Sequence, residues 1–222
     1  MRIIFIHGLG ETKSCFRKIA AELPGEHTFI SLWEALGDKK RPELIVIGFC
    51  NELIESYNIR SEDIIIGHST GAKLAYFIKH LNGNKIIQIA GWTDQSKVIL
   101  PIKNIKLIYF LVRSGLLFLD VVNQYVIDRY KRRDESKPFY VEALTNLKSG
   151  NRNCVLNQYK LALSNVEEEV SVEPDLRIHA KRDNIIRYPD ESFHEVPGDH
   201  FSLLTYPDEV LSGIRSVIDL QS

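Results

Sequence analysis

The chain has 222 residues, of which 44% are hydrophobic, enough to bury one sizeable core in the manner of an ordinary globular protein. Its 28 Lys and Arg against 29 Asp and Glu leave a formal charge of -1. That balance excludes a broad field able to attract nucleic acid or an anionic membrane, and it points to a small-molecule partner. Cys15, Cys50 and Cys154 are far apart and contain no C-x-x-C pair, so neither a disulfide framework nor a thiolate metal site is indicated, and a reducing cytoplasm suits them.

In chain order, Met1-Arg2 leads directly into the apolar run Ile3 to Ile6, leaving no room for a secretory signal before it. That run reads as a first strand ending in His7-Gly8-Leu9-Gly10. Phe16, Ile19, Ala20 and Leu23 then recur at helical spacing up to Pro24-Gly25, and Thr28 to Leu32 reads as a second strand. Leu44 to Ile47 is strand-like in composition, but a right-handed crossover between parallel strands calls for a helix, with Pro42 in its first turn. Ile64-Ile65-Ile66 is the clearest strand, fully apolar and β-branched as a central parallel strand should be, and it ends in Gly67-His68-Ser69-Thr70-Gly71. The next helix places Leu74, Phe77, Ile78 and Leu81 on one face and stops at Asn82-Gly83; Lys85 to Ala90 is the following strand.

From Thr93 to Val170 the alternation lapses into four expected helices, Leu107 to Leu119, Val121 to Arg133, Tyr140 to Leu147 and Val155 to Leu163. The greasiest stretch, Ile99 to Val112, is interrupted by Lys103 and Lys106 and falls short of the ~20 residues of a membrane span. The basic run Arg129-Tyr130-Lys131-Arg132-Arg133 is followed at once by Asp134 and Glu135 and reads as a solvated helix face. Strands return at Leu176 to Ala180 and Ser192 to Val196, before a last helix carrying Val210, Ile214, Val217 and Ile218 on one face. The pattern is α/β, a mostly parallel sheet flanked by helices, with residues 1–92 and 171–222 as the core and 93–170 as a helical cap (lid) insertion.

Gly67-x-Ser69-x-Gly71 lies between a strand and a helix, the context in which a sharp turn pushes a serine hydroxyl outward at a helix start. A serine is a poor nucleophile without a base held by a carboxylate. Of seven histidines, His200 alone sits in a loop between the last strand and the last helix, where it would emerge at the same sheet edge as Ser69; His179 and His194 lie within strands, and His68 adjoins the serine in a turn that points their side chains apart. The acid is Asp183, directly after the penultimate strand, or its rival Asp94 after the preceding one, while Asp199 reads as a turn residue. The Leu9 and Thr70 backbone N–H groups are the candidate oxyanion donors.

The order oxyanion loop, serine, acid, histidine resembles the α/β-hydrolase superfamily over nearly the whole chain outside the insertion. The resemblance carries Ser69, Asp183 and His200 over from the elbow Gly67 to Gly71, the segment Ile178 to Asp183 and the terminal Gly198 to His200. It departs in lacking a leading β-hairpin, in Ala72 where a further glycine is frequent, and in Ala180 where the acid-bearing segment often has glycine. It implies a serine nucleophile acting on esters, thioesters or amides, since the dehalogenase and epoxide-hydrolase branches use an aspartate there; Gly198 to Phe201 is similar to the histidine segment of small acyl thioesterases. The expectation is a soluble, cytoplasmic hydrolase of small acyl esters or thioesters that needs neither metal nor organic cofactor, binds no nucleic acid and spans no membrane; no signal sets its oligomeric state. A small-molecule receptor on the same fold, C–C bond hydrolysis and perhydrolysis stay open as alternatives.

Overall fold

The Ile3–Phe5 and Ile64–Ile66 runs sit side by side at the centre of a six-stranded sheet, in register Ile3 to Ile64 and Phe5 to Ile66. The computed structural model describes every residue except 101, 130–134, 167–169 and 219–222. Strand β1 (Arg2–Ile6) is followed by a 3₁₀ turn, Lys13–Phe16, and a short helix α1 (Arg17–Ala20), then β2 (Glu26–Ile30), α2 (Leu32–Leu36), α3 (Val46–Ser56), β3 (Ile64–His68), α4 (Thr70–Asn82) and β4 (Lys85–Ile89). Four helices come next, α5 (Ile105–Ser114), α6 (Asp120–Arg129), α7 (Lys137–Ser149) and α8 (Arg152–Leu163). The chain closes with β5 (Leu176–His179), β6 (His194–Glu195), α9 (Ser202–Thr205) and α10 (Pro207–Ile218).

The strand order is β2-β1-β3-β4-β5-β6 and every pairing is parallel. Both faces are therefore covered. Ile3, Phe5, Ile64, Ile66, Ile87 and Ile89 pack on one side with α1 and α10, while Ile4, Ile6, Ile65 and Ile86 pack on the other with α3 and α4. Alternate side chains of one strand thus enter opposite cores, which is why these strands read as unbroken apolar runs. After β1 the chain moves outward to β2, then returns to β3 on the other side of β1. Between β1 and β3 the connections diverge, and a crevice opens at the strand carboxyl ends.

Several element bounds differ from the expectations for local reasons. The stretch from Leu44 to Ile47 is not a strand. The helix there begins at Val46, four residues beyond Pro42, because the Arg41 and Pro42 carbonyls are turned to the Lys160 ammonium (2.5 and 3.2 Å) and are unavailable to a helical turn. Ser31 ends the second strand early: its hydroxyl accepts from the Glu34 N–H (3.3 Å) and starts α2 at Leu32, the last residue of the expected strand. Gly115, at φ 82°, splits the expected helix Leu107 to Leu119 into α5 and a 3₁₀ turn, Leu116–Phe118. The end of the expected helix Val121 to Arg133, with the basic run beyond Arg129, falls outside the described residues. Among the described residues no helix is long and apolar enough to cross a membrane.

The helical insertion between β4 and β5 is fastened to the core by Lys73 of α4. Its ammonium is buried and donates to the Gln95 side chain (2.9 Å) and to the Leu161 and Ser164 carbonyls (2.9 and 2.7 Å) at the carboxyl end of α8. Burial pulls the Lys73 pKa down to about 7.

The first turn of α4 lies hard against β1, so that a Cβ on Gly71 would stand 1.9 Å from the Ile6 carbonyl oxygen. Neither partner can easily retreat, since one is backbone of β1 in the sheet and the other backbone of the first turn of α4 packed on it. Gly71→Ala is expected to cost about 3 kcal/mol or more, or to prevent folding, as read from the chemical denaturation midpoint.

Candidate active site

Ser69 follows β3 and opens α4 with φ 53° and ψ -120°, a conformation that costs a non-glycine residue on the order of 1–3 kcal/mol. The surrounding backbone holds it there. Ser69 N–H donates to the Ile89 carbonyl (3.0 Å), and the Ser69 carbonyl accepts from Ala72 and Lys73 (3.0 and 3.2 Å). A Cβ on Gly67 would come within 2.4 Å of the Gly71 oxygen, so this turn requires glycine at both ends. Ala72, where the resemblance leads one to expect glycine, is accommodated by Gly91, on which a Cβ would meet the Ala72 Cβ at 2.4 Å.

Asp183 and His200 arrive from the loops after β5 and β6. His200 Nδ1 donates to Asp183 Oδ2 (2.7 Å), while Asp183 Oδ1 accepts from the Ile185 and Ile186 amides (2.8 and 2.9 Å). Burial works against the Asp183 carboxylate, but His200 and those amides outweigh it and its pKa is lowered. Burial likewise disfavours the His200 imidazolium, yet the charge of Asp183 and its hydrogen bond, with Glu11 and Asp199 behind, raise the histidine pKa above its ordinary 6.5. An ionised Asp183 fixes the proton on Nδ1, leaving Nε2 as the ring's basic atom. Asp94 is elsewhere: it is exposed, caps the turn Gln95–Lys97 through Ser96 and has no contact with His200 among the hydrogen bonds of the described residues. Asp199 closes a turn by accepting from the Phe201 N–H (3.1 Å) and also accepts from Ser136 of the insertion.

The loop after β1 is held from several sides. Gly8 N–H donates to Glu11 Oε2 (2.8 Å), Gly10 N–H to Gln158 of α8 (3.0 Å) and Glu11 N–H to the Gly8 carbonyl (3.3 Å), while Asn146 of α7 donates to the Gly10 carbonyl (2.9 Å). Leu9 and Thr70 differ: neither backbone N–H has a hydrogen-bond partner among the described residues. Leu9, Thr70, Ser69 and His200 all line one cavity of about 260 Å³. Apart from Glu11, its other walls are mostly apolar and come largely from the insertion, among them Leu100, Ile108, Phe118, Leu147 and Leu163. Two wider grooves of about 740 and 940 Å³ contain neither Ser69 nor His200.

One residue of this site escaped the sequence reading. Glu11, buried directly after the His7 to Gly10 loop, receives His68 Nδ1 at 2.8 Å, and His68 Nε2 lies 2.9 Å from the His200 carbonyl. Both ring nitrogens of His68 are thus engaged, and the ring bridges Glu11 and the His200 backbone. Burial would raise the Glu11 pKa, but the His68 charge and hydrogen bond bring it down to about 2. An acidic residue beside a glycine loop was the available signal, but its partner 57 positions away left no trace in local spacing. Glu11, His68 and His200 each bring a ligating atom within 4.8 Å of the others, a donor set that could take a metal ion, although hydrogen bonds already account for the cluster. His7 is a neutral neighbour: its Nε2 accepts from Leu32 N–H (3.0 Å), its Nδ1 donates to the Gly8 carbonyl (2.8 Å), and burial lowers its pKa.

No protein-family model and no curated protein matches the sequence. Solved structures do match. A hydrolase from Oleispira antarctica superposes with a TM-score of 0.70 at 12% identity, over 98% of this chain and 90% of its own. A thermophilic esterase from Thermogutta terrifontis gives 0.68 at 13%, over 99% and 90%, and an epoxide hydrolase from Bacillus megaterium gives 0.68 at 16%, over 98% and 93%. With the all-parallel sheet, the serine turn at the end of β3 and these likenesses over nearly its full length, the chain has the α/β-hydrolase fold.

Proposed function

We propose that the protein is a serine hydrolase that cleaves small carboxylic esters or thioesters through an acyl-enzyme, with Ser69, His200 and Asp183 as its catalytic triad. The observation that carries this reading is the strained Ser69 turn sharing one apolar cavity with an imidazole whose Nδ1 proton is fixed by a buried carboxylate. His200 Nε2 takes the Ser69 proton as the hydroxyl attacks the acyl carbon, and the resulting imidazolium is stabilised by Asp183. The Leu9 and Thr70 N–H groups, unspent on protein acceptors, hold the oxyanion. His200 next gives its proton to the leaving alcohol or thiol, then activates water for deacylation. Every step is proton transfer and acyl transfer, which these groups supply themselves.

The insertion acts as a cap that walls the acyl pocket. A serine at residue 69, where the resemblance gives epoxide hydrolases an aspartate, favours acyl chemistry over epoxide opening. Glu11 contributes at one remove: by holding Gly8, His68 and, through His68, the His200 backbone, it sets the distance between oxyanion loop and base.

Ser69→Ala is expected to lower kcat on p-nitrophenyl acyl esters by about 10⁴ or more; comparable turnover by the variant would overturn the assignment. Because His200 must be neutral to act as base and its pKa is raised, kcat/KM should fall on the acid side with a midpoint above pH 6.5, and a limb at or below that value would contradict the role given to Asp183. Glu11→Gln removes a buried carboxylate that accepts from Gly8 and pairs with His68, and is expected to cost about 3 kcal/mol in urea denaturation at neutral pH. Since the folded Glu11 pKa is depressed, that difference between wild type and variant should persist down to pH 4.5 and fade as pH falls towards 2.

A further inference from the structure

Scattered apolar side chains on a surface need no explanation, but here they crowd into one short stretch of chain. Leu107, Phe110, Leu116, Leu119, Val121 and Tyr125, all exposed, fall within two consecutive helices of the insertion and the turn between them. Phe110, 60% exposed, has Lys106 one turn before it and Arg113 one turn after it on the same side of α5. Lys103, Lys106 and Arg113 are exposed, and among the described residues none of them pairs with a carboxylate. From Ile99 to Leu119 the sequence contains no Asp or Glu at all, and Asp120 just beyond is tied to Lys148. The near-zero charge of the whole chain therefore conceals a local cationic and apolar face.

We infer that this α5–α6 face docks on an anionic lipid surface and, if the hydrolase reading above holds, admits apolar acyl substrate from that surface to Ser69. The side-chain chemistry fits a bilayer interface: apolar groups enter the acyl boundary while lysine and arginine stay with the headgroups. The other side of the same segment supplies Ile108, Leu117 and Phe118 to the wall of the cavity that holds Ser69 and His200. One layer of helix thus separates the exposed face from the acyl pocket, a continuity that neither an acidic protein nor a second copy of the chain would call for.

The test is vesicle co-sedimentation of wild-type and Ser69→Ala protein with phosphatidylcholine alone and with added phosphatidylglycerol. Both proteins should sediment with the mixed vesicles, much less with phosphatidylcholine, and should be released by salt. Leu107→Ser with Phe110→Asp should lower the bound-to-free ratio by about tenfold or more, with an unchanged circular dichroism spectrum because both positions are exposed. Lys106→Glu with Arg113→Glu should remove the preference for anionic lipid. Equal binding by the first pair of substitutions, or no binding by wild type, overturns the inference. So does a dimer in light scattering that Phe110→Asp dissociates, since the face would then belong to a second copy. Binding is read on a protein without the nucleophile, so its failure and a failure of the hydrolase reading are distinguishable.

Discussion

A single buried carboxylate ties together three loops that come from three different strands. Glu11 accepts from Gly8 in the loop after β1 and from His68 at the end of β3, and His68 reaches the backbone of His200 after β6. A parallel sheet aligns strand ends but leaves the loops beyond them free to move independently. A hydrogen-bonded carboxylate sealed from water removes that freedom, because parting it from Gly8 and His68 would leave an uncompensated charge in the interior. The geometry around Ser69 is thus inherited from a buried contact that hydrogen-bonds to neither the Ser69 hydroxyl nor the Asp183 carboxylate.

The insertion contributes to the same arrangement from above. Gln158 and Asn146 grip both polar groups of Gly10, and Lys73 answers from below by gathering carbonyls at the end of α8. Core and insertion therefore share polar anchors as well as apolar packing. Lys73 sits among oxygen acceptors and over the Trp92 ring with no carboxylate in its hydrogen-bond shell, so its burial is only partly offset and its pKa falls to about 7.

Much of this was legible in the residues because the relevant signals are short-range. The triple isoleucine, the flanking glycines of Ser69 and the helical spacing of Leu74, Phe77 and Ile78 each report a local backbone requirement, and the six parallel strands follow from them. What was not legible depends on contacts between distant segments. The start of α3 is set by Lys160, more than a hundred positions later, and the environment of His68 by Glu11. Periodicity carries no record of such pairings. The α5–α6 face was hidden for a different reason: averaging charge over the whole chain erased the stretch Ile99 to Leu119, which covers α5 and the turn after it and has no acidic residue.

The contact between Ala72 and Gly91 has a consequence for how such a chain can change. The two positions share one small volume between the serine turn and the end of β4, and only one methyl group fits in it. A methyl could move from one side to the other only if residue 72 lost its own first, since adding one at residue 91 alone would wedge the turn from its neighbouring strand. The tolerance for alanine at residue 72 is thus a joint property of two sites, to be looked for in relatives as a compensated pair.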